Sequence, residues 1–211
     1  MSYRKNKTIG DSLIHNKFRS NTPAPIPTGD SGIIQVPISV GEDKGCFQCG
    51  RCYCCRLGYL TPCGSFTSYH TNQIFTIEKA ITCQSMGLIY LAECVTCETS
   101  CVGYSVGNLP KRLSNHRSHI KKNIKTCRLT THFIERDHNL VRDKTQPDYD
   151  RSLVKHLKII LIDTVQFKHG LSTKEKEKLC EEREGFWQTS LKTFERYGGM
   201  NVLDSRLSSQ R

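Results

Sequence analysis

The spacing of its cysteines is the feature that most limits how this 211-residue chain can fold. Six of the twelve cysteines lie between Cys46 and Cys63, where apolar neighbours are scarce. Thiols this dense cannot form a hydrophobic core by themselves, whereas thiolates are strong ligands for zinc. The sequence therefore predicts that a metal ion organises residues 46–83.

The spacing leaves the ligands of this metal open. We predict a four-cysteine zinc site formed by Cys49, Cys52, Cys55 and Cys63. Cys46 is an equally good candidate for a ligand, and iron–sulfur ligation is a lesser alternative.

The cysteines could also suit a secreted disulfide scaffold. However, residues 1–7 are polar and basic, and they are not followed by the apolar run that a secretory signal would have. The cysteines are also grouped as C-x-x-C pairs near histidines. We therefore predict a reducing compartment, free thiols and bound metal.

Charge indicates the class of partner. The net charge is +11 and the isoelectric point is about 9.1, which favours a polyanion such as DNA, although a solvated basic face without a ligand has the same composition. No apolar run approaches the roughly 20 residues that span a bilayer, so no membrane partner is predicted.

The order of elements predicts an α+β fold. Strands are expected at Leu88–Glu93, at Cys101–Tyr104 and at Lys158–Phe167. One helix follows an Asn108 cap, and another runs from Ser172 to about Phe194. This order suits a small three-stranded sheet flanked by helices. The predicted organisation is a flexible, irregular linker over 1–45, a cysteine-rich module over 46–83, an α+β domain over 84–203 and a polar tail over 204–211.

Two groups of residues have the chemistry of phosphodiester cleavage. Arg112 and His116 lie one turn apart on a helix, where an arginine can hold a phosphate and a histidine can accept a proton. On their own they equally suit a solvated or DNA-backbone face. Glu184 lies in an apolar helical stripe, where it is either half of a buried ion pair, for example with Arg112, or a ligand for Mg²⁺.

Together, Gly87-Leu88-Ile89-Tyr90, Cys101-Val102-Gly103, Arg112, His116, Glu184 and Asn201 resemble a GIY-YIG nuclease domain. The resemblance implies an antiparallel three-stranded sheet with flanking helices and a catalytic Mg²⁺ or Mn²⁺ ion. It implies that Tyr90 positions or deprotonates water, that Arg112 binds phosphate, that Glu184 binds the metal and that Asn201 braces the site. Cys101 stands where the second signature tyrosine is expected, so Tyr90 or His116 must be the base, or the enzyme is impaired.

The chain is more specifically similar to the endonuclease region of Penelope-like retroelements, without the reverse transcriptase. The shared features are the upstream cysteine run, Cys94-x-x-Cys97, His132-Phe133 with His138, and the Glu184-Gly-Phe-Trp187 and Gly-Met-Asn201 sequences. This similarity implies a second, Cys₂His₂ zinc site formed by Cys94, Cys97, His132 and His138. It also implies target-site nicking in the nucleus, with DNA as substrate and retroelement RNA or a reverse transcriptase as possible partners.

A basic helix face is predicted to bind DNA phosphates without sequence preference and in a salt-sensitive way. Its residues are Lys111, Arg117, Lys121, Lys122 and Lys125.

Two rival functions follow from the cysteines. Because Cys101 replaces a tyrosine, the chain could be a zinc-containing nucleic-acid-binding module without activity. The thiols could instead make it a redox sensor, for which stoichiometric zinc would be absent.

Overall fold

The structure is a computed structural model that describes residues 44–202, except Asp137, Arg142, Lys144 and Asp150. Most of the predicted linker and the predicted tail lie outside the described residues. The strands are β1 Gly45–Phe47, β2 Ser65–Thr67, β3 Ile74–Thr76, β4 Ala80–Thr82, β5 Leu88–Cys94, β6 Thr99–Ser105 and β7 Leu157–Thr164. The helices are α1 Tyr53–Arg56, α2 Leu109–Lys121, α3 Arg128–Glu135 and α4 Thr173–Leu191, with 3₁₀ turns at Leu153–Lys155 and Glu195–Tyr197.

The main sheet has three antiparallel strands in the order β6-β5-β7. Strand β5 is central and is buried along its whole length, as expected for a strand that is paired on both sides and covered on both faces. The predicted α+β class and three-stranded antiparallel sheet are therefore confirmed. Two short two-stranded sheets, β1-β4 and β2-β3, accompany this sheet.

The two predicted helices begin at their predicted caps. The Asn108 side chain accepts a hydrogen bond from the Lys111 amide at the start of α2 (3.2 Å). Ser172 and Glu175 form the reciprocal capping box of α4. The C-terminal ends were predicted less well, since α4 ends at Leu191 and β7 ends at Thr164, each three residues before the predicted end.

The cysteine-rich module shares one hydrophobic core with the main sheet. The chain at Tyr59 accepts a hydrogen bond from the Ile159 amide, and the Thr61 amide donates to the Ile159 carbonyl, so this segment lies along the outer edge of β7. Tyr59 is fully buried. The Tyr53 hydroxyl donates to the Pro110 carbonyl at the start of α2 (2.7 Å). The module therefore supports both the sheet and α2.

Helix α3 was not predicted. Its cap is Cys127, which is not one of the usual capping residues, and the Cys127 amide donates to the Thr130 hydroxyl (3.0 Å). The helix buries Leu129 and Phe133. Among the described residues, no helix has both the length and the apolar character that crossing a membrane requires.

A buried carboxylate joins three parts of the fold. Asp163 of β7 is 4% exposed. It pairs with Lys79 before β4 (2.8 Å), with Arg183 of α4, and with the Trp187 indole N–H (3.1 Å). Burial opposes ionisation, but these three donors and the Thr164 amide outweigh it and lower the pKa of Asp163.

We expect Asp163→Asn to lower the free energy of unfolding by about 2–4 kcal/mol at pH 7, because two cations lose their buried partner. A lowered pKa stabilises the fold above the ordinary aspartate pKa, so the difference should shrink as the pH falls through the acid range. Urea denaturation of the zinc-loaded protein measures it. Glu135→Gln, which breaks an exposed ion pair with Lys125, is the control and should cost under about 1 kcal/mol. Equal costs for the two variants would contradict a central role for Asp163.

Candidate active site and metal centres

Tyr90, Arg112 and His116 form one hydrogen-bonded group beneath α2. Tyr90 on β5 is 2% exposed and His116 is 4% exposed. The Tyr90 hydroxyl lies 2.9 Å from His116 Nε2, and Arg112 Nε donates to the same hydroxyl (3.2 Å). The helical spacing therefore places both α2 side chains against the tyrosine.

This geometry permits a chain of hydrogen bonds from Arg112 to His116. The Tyr90 hydroxyl can donate to His116 Nε2 while it accepts from Arg112, and in that arrangement the histidine proton lies on Nδ1. Nδ1 faces the Cys127 thiol at 3.6 Å. Burial, with the nearby Arg112 charge, lowers the pKa of His116 to about 3, so the ring is neutral. Burial also raises the pKa of Tyr90, which keeps its hydroxyl protonated.

Glu184 of α4 lines the same cavity, whose volume is about 270 Å³. It is the only carboxylate among the described residues that line this cavity. Burial raises the pKa of Glu184 to about 7, while Arg112 pulls it in the opposite direction. A partly buried carboxylate that faces an open cavity suits a divalent cation that also keeps waters and substrate oxygens as ligands. The donor therefore fits a Mg²⁺ or Mn²⁺ ion.

Two β6 residues shape the floor of the cavity. A Cβ atom added at Gly103 would lie 2.7 Å from the Tyr90 hydroxyl, so only glycine leaves room for the tyrosine ring. Cys101 also lines the cavity. Burial raises the pKa of the Cys101 thiol, so it is protonated and cannot take the role of a base.

Asn201 braces the outer edge of β6. Its side-chain oxygen accepts from the Val102 amide (2.8 Å), and its side-chain nitrogen donates to the Val102 carbonyl (3.0 Å). Because β6 is an edge strand, this amide satisfies backbone groups that the sheet leaves unpaired. Asn201 therefore fixes the strand between Cys101 and Gly103.

Four thiols in the upstream module could hold zinc. Their neighbouring sulfur atoms lie 3.4–3.9 Å apart, and a tetrahedral Zn–S₄ centre requires roughly 3.8 Å between sulfurs. All twelve cysteines of the chain are free thiols. The four thiols that could be its ligands are those of Cys49, Cys52, Cys55 and Cys83.

Cys83 thus takes the place that was predicted for Cys63, and Cys46 also lies outside the group. Cys46 and Cys63 instead pair through their backbones, because the Cys46 amide donates to the Cys63 carbonyl (2.8 Å). Cys83 is 28 residues from Cys55 along the sequence, and β4 brings it back by pairing with β1. Local cysteine spacing could not reveal this ligand.

A second group contains all four residues of the predicted Cys₂His₂ set, namely Cys94, Cys97, His132 and His138. His138 Nε2 lies 3.4 Å from the Cys94 sulfur and 3.3 Å from His132 Nε2, which are the separations of tetrahedral zinc ligands. Burial lowers the pKa of His132 to about 4, so its ring is neutral, as ligation requires. The group could hold zinc.

The four-cysteine group is directly connected to α2. The Cys83 carbonyl accepts from the Leu109 amide, the first residue of α2 (3.0 Å). Gln84 donates to the Cys49 sulfur (3.7 Å), and its side-chain oxygen accepts from Asn108, the cap of α2 (3.4 Å). The candidate metal ligands are therefore hydrogen-bonded to the start of the helix that carries Arg112 and His116.

The predicted basic face is only partly available. Lys111, Lys122 and Lys125 are exposed, although Lys125 pairs with Glu135. Arg117 packs over the rings of Tyr53 and Tyr59, and Lys121 donates to the Tyr149 carbonyl. The prediction that this face contacts DNA phosphates therefore rests mainly on the three exposed lysines.

Comparisons with protein-family models, curated proteins and solved structures find no match to this chain. The arrangement of its residues therefore carries the functional argument. Three relevant residues were not singled out from the sequence: Cys83, Cys127 and Arg128. The last two lie at the start of α3, and Arg128 also lines the cavity.

Proposed function

We propose that this protein is a metal-dependent DNA endonuclease of the GIY-YIG type, similar to the endonuclease portion of Penelope-like retroelements. The observation that carries the proposal is the convergence of Tyr90, Arg112, His116 and Glu184 on one cavity. These residues come from a strand and two helices, and together they offer a proton acceptor, a fixed cation and a metal ligand.

The residues have distinct roles in the proposed hydrolysis. Arg112 holds the non-bridging oxygens of the scissile phosphate as negative charge builds on them. Tyr90 takes a proton from the attacking water and passes its own proton to His116 Nε2, so the pair acts as the base that Cys101 cannot be. The pKa of His116 is about 3 without substrate, and the negative charge of the bound phosphate raises it. A Mg²⁺ or Mn²⁺ ion held by Glu184 would supply a Lewis acid next to the phosphate.

The two zinc groups have a structural role in this proposal. Zinc in the four-cysteine group would fix the start of α2, and zinc in the Cys₂His₂ group would join the β5–β6 hairpin to α3. Following the resemblance, the nick would provide a 3′-hydroxyl that primes reverse transcription in the nucleus. Retroelement RNA or a reverse transcriptase would be further partners.

Nicking of supercoiled plasmid by the zinc-loaded protein tests the proposal. We expect conversion to the open circle with Mg²⁺ or Mn²⁺, and none when the divalent cation is omitted. Protein that carries zinc and binds DNA but never nicks it would support the alternative, a nucleic-acid-binding module. The absence of a tyrosine hydroxyl at Cys101 is the observation that favours this alternative.

The pH dependence of nicking tests the role of Glu184. Metal binding needs the ionised carboxylate, and a pKa of about 7 means that ionisation rises as the pH rises through neutrality. At subsaturating Mg²⁺ we expect the rate to increase about tenfold between pH 6 and pH 8. At saturating Mg²⁺ the increase should become smaller, because the cation competes with the proton. The same increase at both Mg²⁺ concentrations would contradict this role.

A further inference from the structure

A second, larger opening of about 480 Å³ adjoins the active-site cavity. It is a polar cleft between α3 and residues 195–200, and its volume is in the range of ligand sites. Arg128 lines both the cleft and the cavity, so its side chain lies at the junction of the two. An extended substrate could therefore pass from one to the other.

Both walls of the cleft are fixed to the active-site sheet. Met200 donates its amide to the Ser100 carbonyl on β6 (3.0 Å), and Asn201 pairs with Val102. Gly199 lies so close to the Thr193 backbone that a Cβ atom would collide with it. On the other wall, Cys97 and His132 belong to the Cys₂His₂ group. The cleft is thus a built part of the site.

The charged side chains of the cleft suit a row of phosphate groups, one of which displaces a carboxylate of the protein. Arg128 of α3 and Arg136, which follows the helix, line the cleft together with Glu135, whose carboxylate pairs with Lys125 (2.9 Å). Across it, the Glu195 carboxylate lies 3.3 Å from Arg128 Nη1, and the two side chains are 57% and 51% exposed. An exposed ion pair of this kind is weak, so a phosphate can displace the carboxylate. Glu195 therefore occupies the position of an anionic ligand of Arg128.

A nuclease must also bind the polymer beyond the bond that it cleaves. Duplex DNA carries phosphates at regular short intervals, and phosphate contacts set the register of a bound protein. We propose that the cleft binds the phosphate backbone of the substrate DNA next to the scissile phosphate, and that Arg128 exchanges Glu195 for a DNA phosphate. The inference rests on the proposed function, because it extends the same site.

DNA binding without divalent cations separates this inference from catalysis. Fluorescence anisotropy with a short labelled duplex and the zinc-loaded full chain gives the Kd and its salt dependence. We expect Arg128→Gln to weaken binding about fivefold and to lower the slope of log Kd against log salt by about 0.9, the value for one lost phosphate contact. Glu195→Gln should tighten binding about twofold, and only while Arg128 is present.

A second exposed ion pair supplies the controls. Lys155 and Asp148 lie 3.4 Å apart and are 61% and 57% exposed, and neither lines the cleft. Lys155→Gln and Asp148→Asn therefore make the same charge changes and should alter the Kd less than twofold. The inference is overturned if Arg128→Gln matches Lys155→Gln, if Glu195→Gln matches Asp148→Asn, or if the native chain does not bind DNA. If the native chain nicks DNA but Arg128→Gln does not weaken DNA binding, only the inference about the cleft is overturned. If Arg128→Gln weakens DNA binding but the native chain does not nick DNA, only the proposed function is overturned.

Discussion

Glu184→Gln is expected to lower the rate of plasmid nicking by about a thousandfold or more. The substitution keeps the size of the side chain but removes the only carboxylate among the described residues that line the cavity. A neutral amide is a poor ligand for Mg²⁺, and the loss of metal-stabilised charge in a transition state costs several kcal/mol. Nicking rates at saturating Mg²⁺, with protein in excess over plasmid, measure the effect.

Glu181→Gln is the matched control for this variant. Glu181 precedes Glu184 by three residues on α4, accepts a hydrogen bond from the Tyr104 hydroxyl (3.0 Å) and lies outside the cavity. The Glu181→Gln protein should nick DNA within a few-fold of the native rate. The Glu184→Gln protein should still bind DNA. Because burial disfavours the ionised Glu184 carboxylate, the Glu184→Gln protein should also be at least as stable as the native protein at pH 8. A Glu184→Gln protein that nicks at the native rate would rule out Glu184 as the metal ligand.

Loss of zinc from the four-cysteine group is expected to disorder the start of α2 and to abolish nicking. Structural zinc contributes roughly 10–16 kcal/mol of apparent binding free energy, as much as the whole stability of a typical domain. Cys83 supplies both a ligand and the carbonyl that receives the first amide of α2. We therefore expect Cys83→Ser to bind one zinc ion fewer than the native chain.

Cys63→Ser separates the two possible ligand sets. Cys63 was the ligand predicted from spacing, yet the structure places Cys83 in the group instead. Zinc content measured by mass spectrometry, with circular dichroism on the same samples, should show native zinc and native helix content for Cys63→Ser. Cys83→Ser should lose zinc and melt at least about 10 °C lower. The reverse pattern would restore Cys63 as the ligand. A native protein without stoichiometric zinc would instead favour a redox role for the thiols.

Local patterns in the sequence predict much of the fold. The strand predicted at Leu88–Glu93 located β5, and the Asn108 and Ser172 caps located the starts of α2 and α4, because these signals depend on neighbours a few residues away. Helix α3 was not predicted since Cys127 is an unusual cap. The ends of β7 and α4 were misplaced by three residues, because apolar residues continue past the point where pairing or helical hydrogen bonds stop.

The candidate site also contains features that local sequence patterns predict and features that they do not. Arg112 and His116 are four residues apart, and this spacing alone predicts that they share one face of a helix. That Tyr90 and Glu184 meet them in one cavity depends on how α2 and α4 pack on the sheet, and the sequence suggested this only through a resemblance. Cys83 and Arg128 reach their sites through long-range packing, which no local spacing encodes.

Cleavage of an end-labelled DNA duplex under single-turnover conditions tests most directly whether the cavity hydrolyses phosphodiesters. Native zinc-loaded protein and Glu184→Gln should be compared with Mg²⁺, and the nicked ends examined by religation and by polymerase extension. We predict a Mg²⁺-dependent nick with a 3′-hydroxyl and a 5′-phosphate for the native protein, and no nick for the variant. Equal nicking by both proteins, or DNA binding by both without any nick, would contradict an endonuclease site in this cavity.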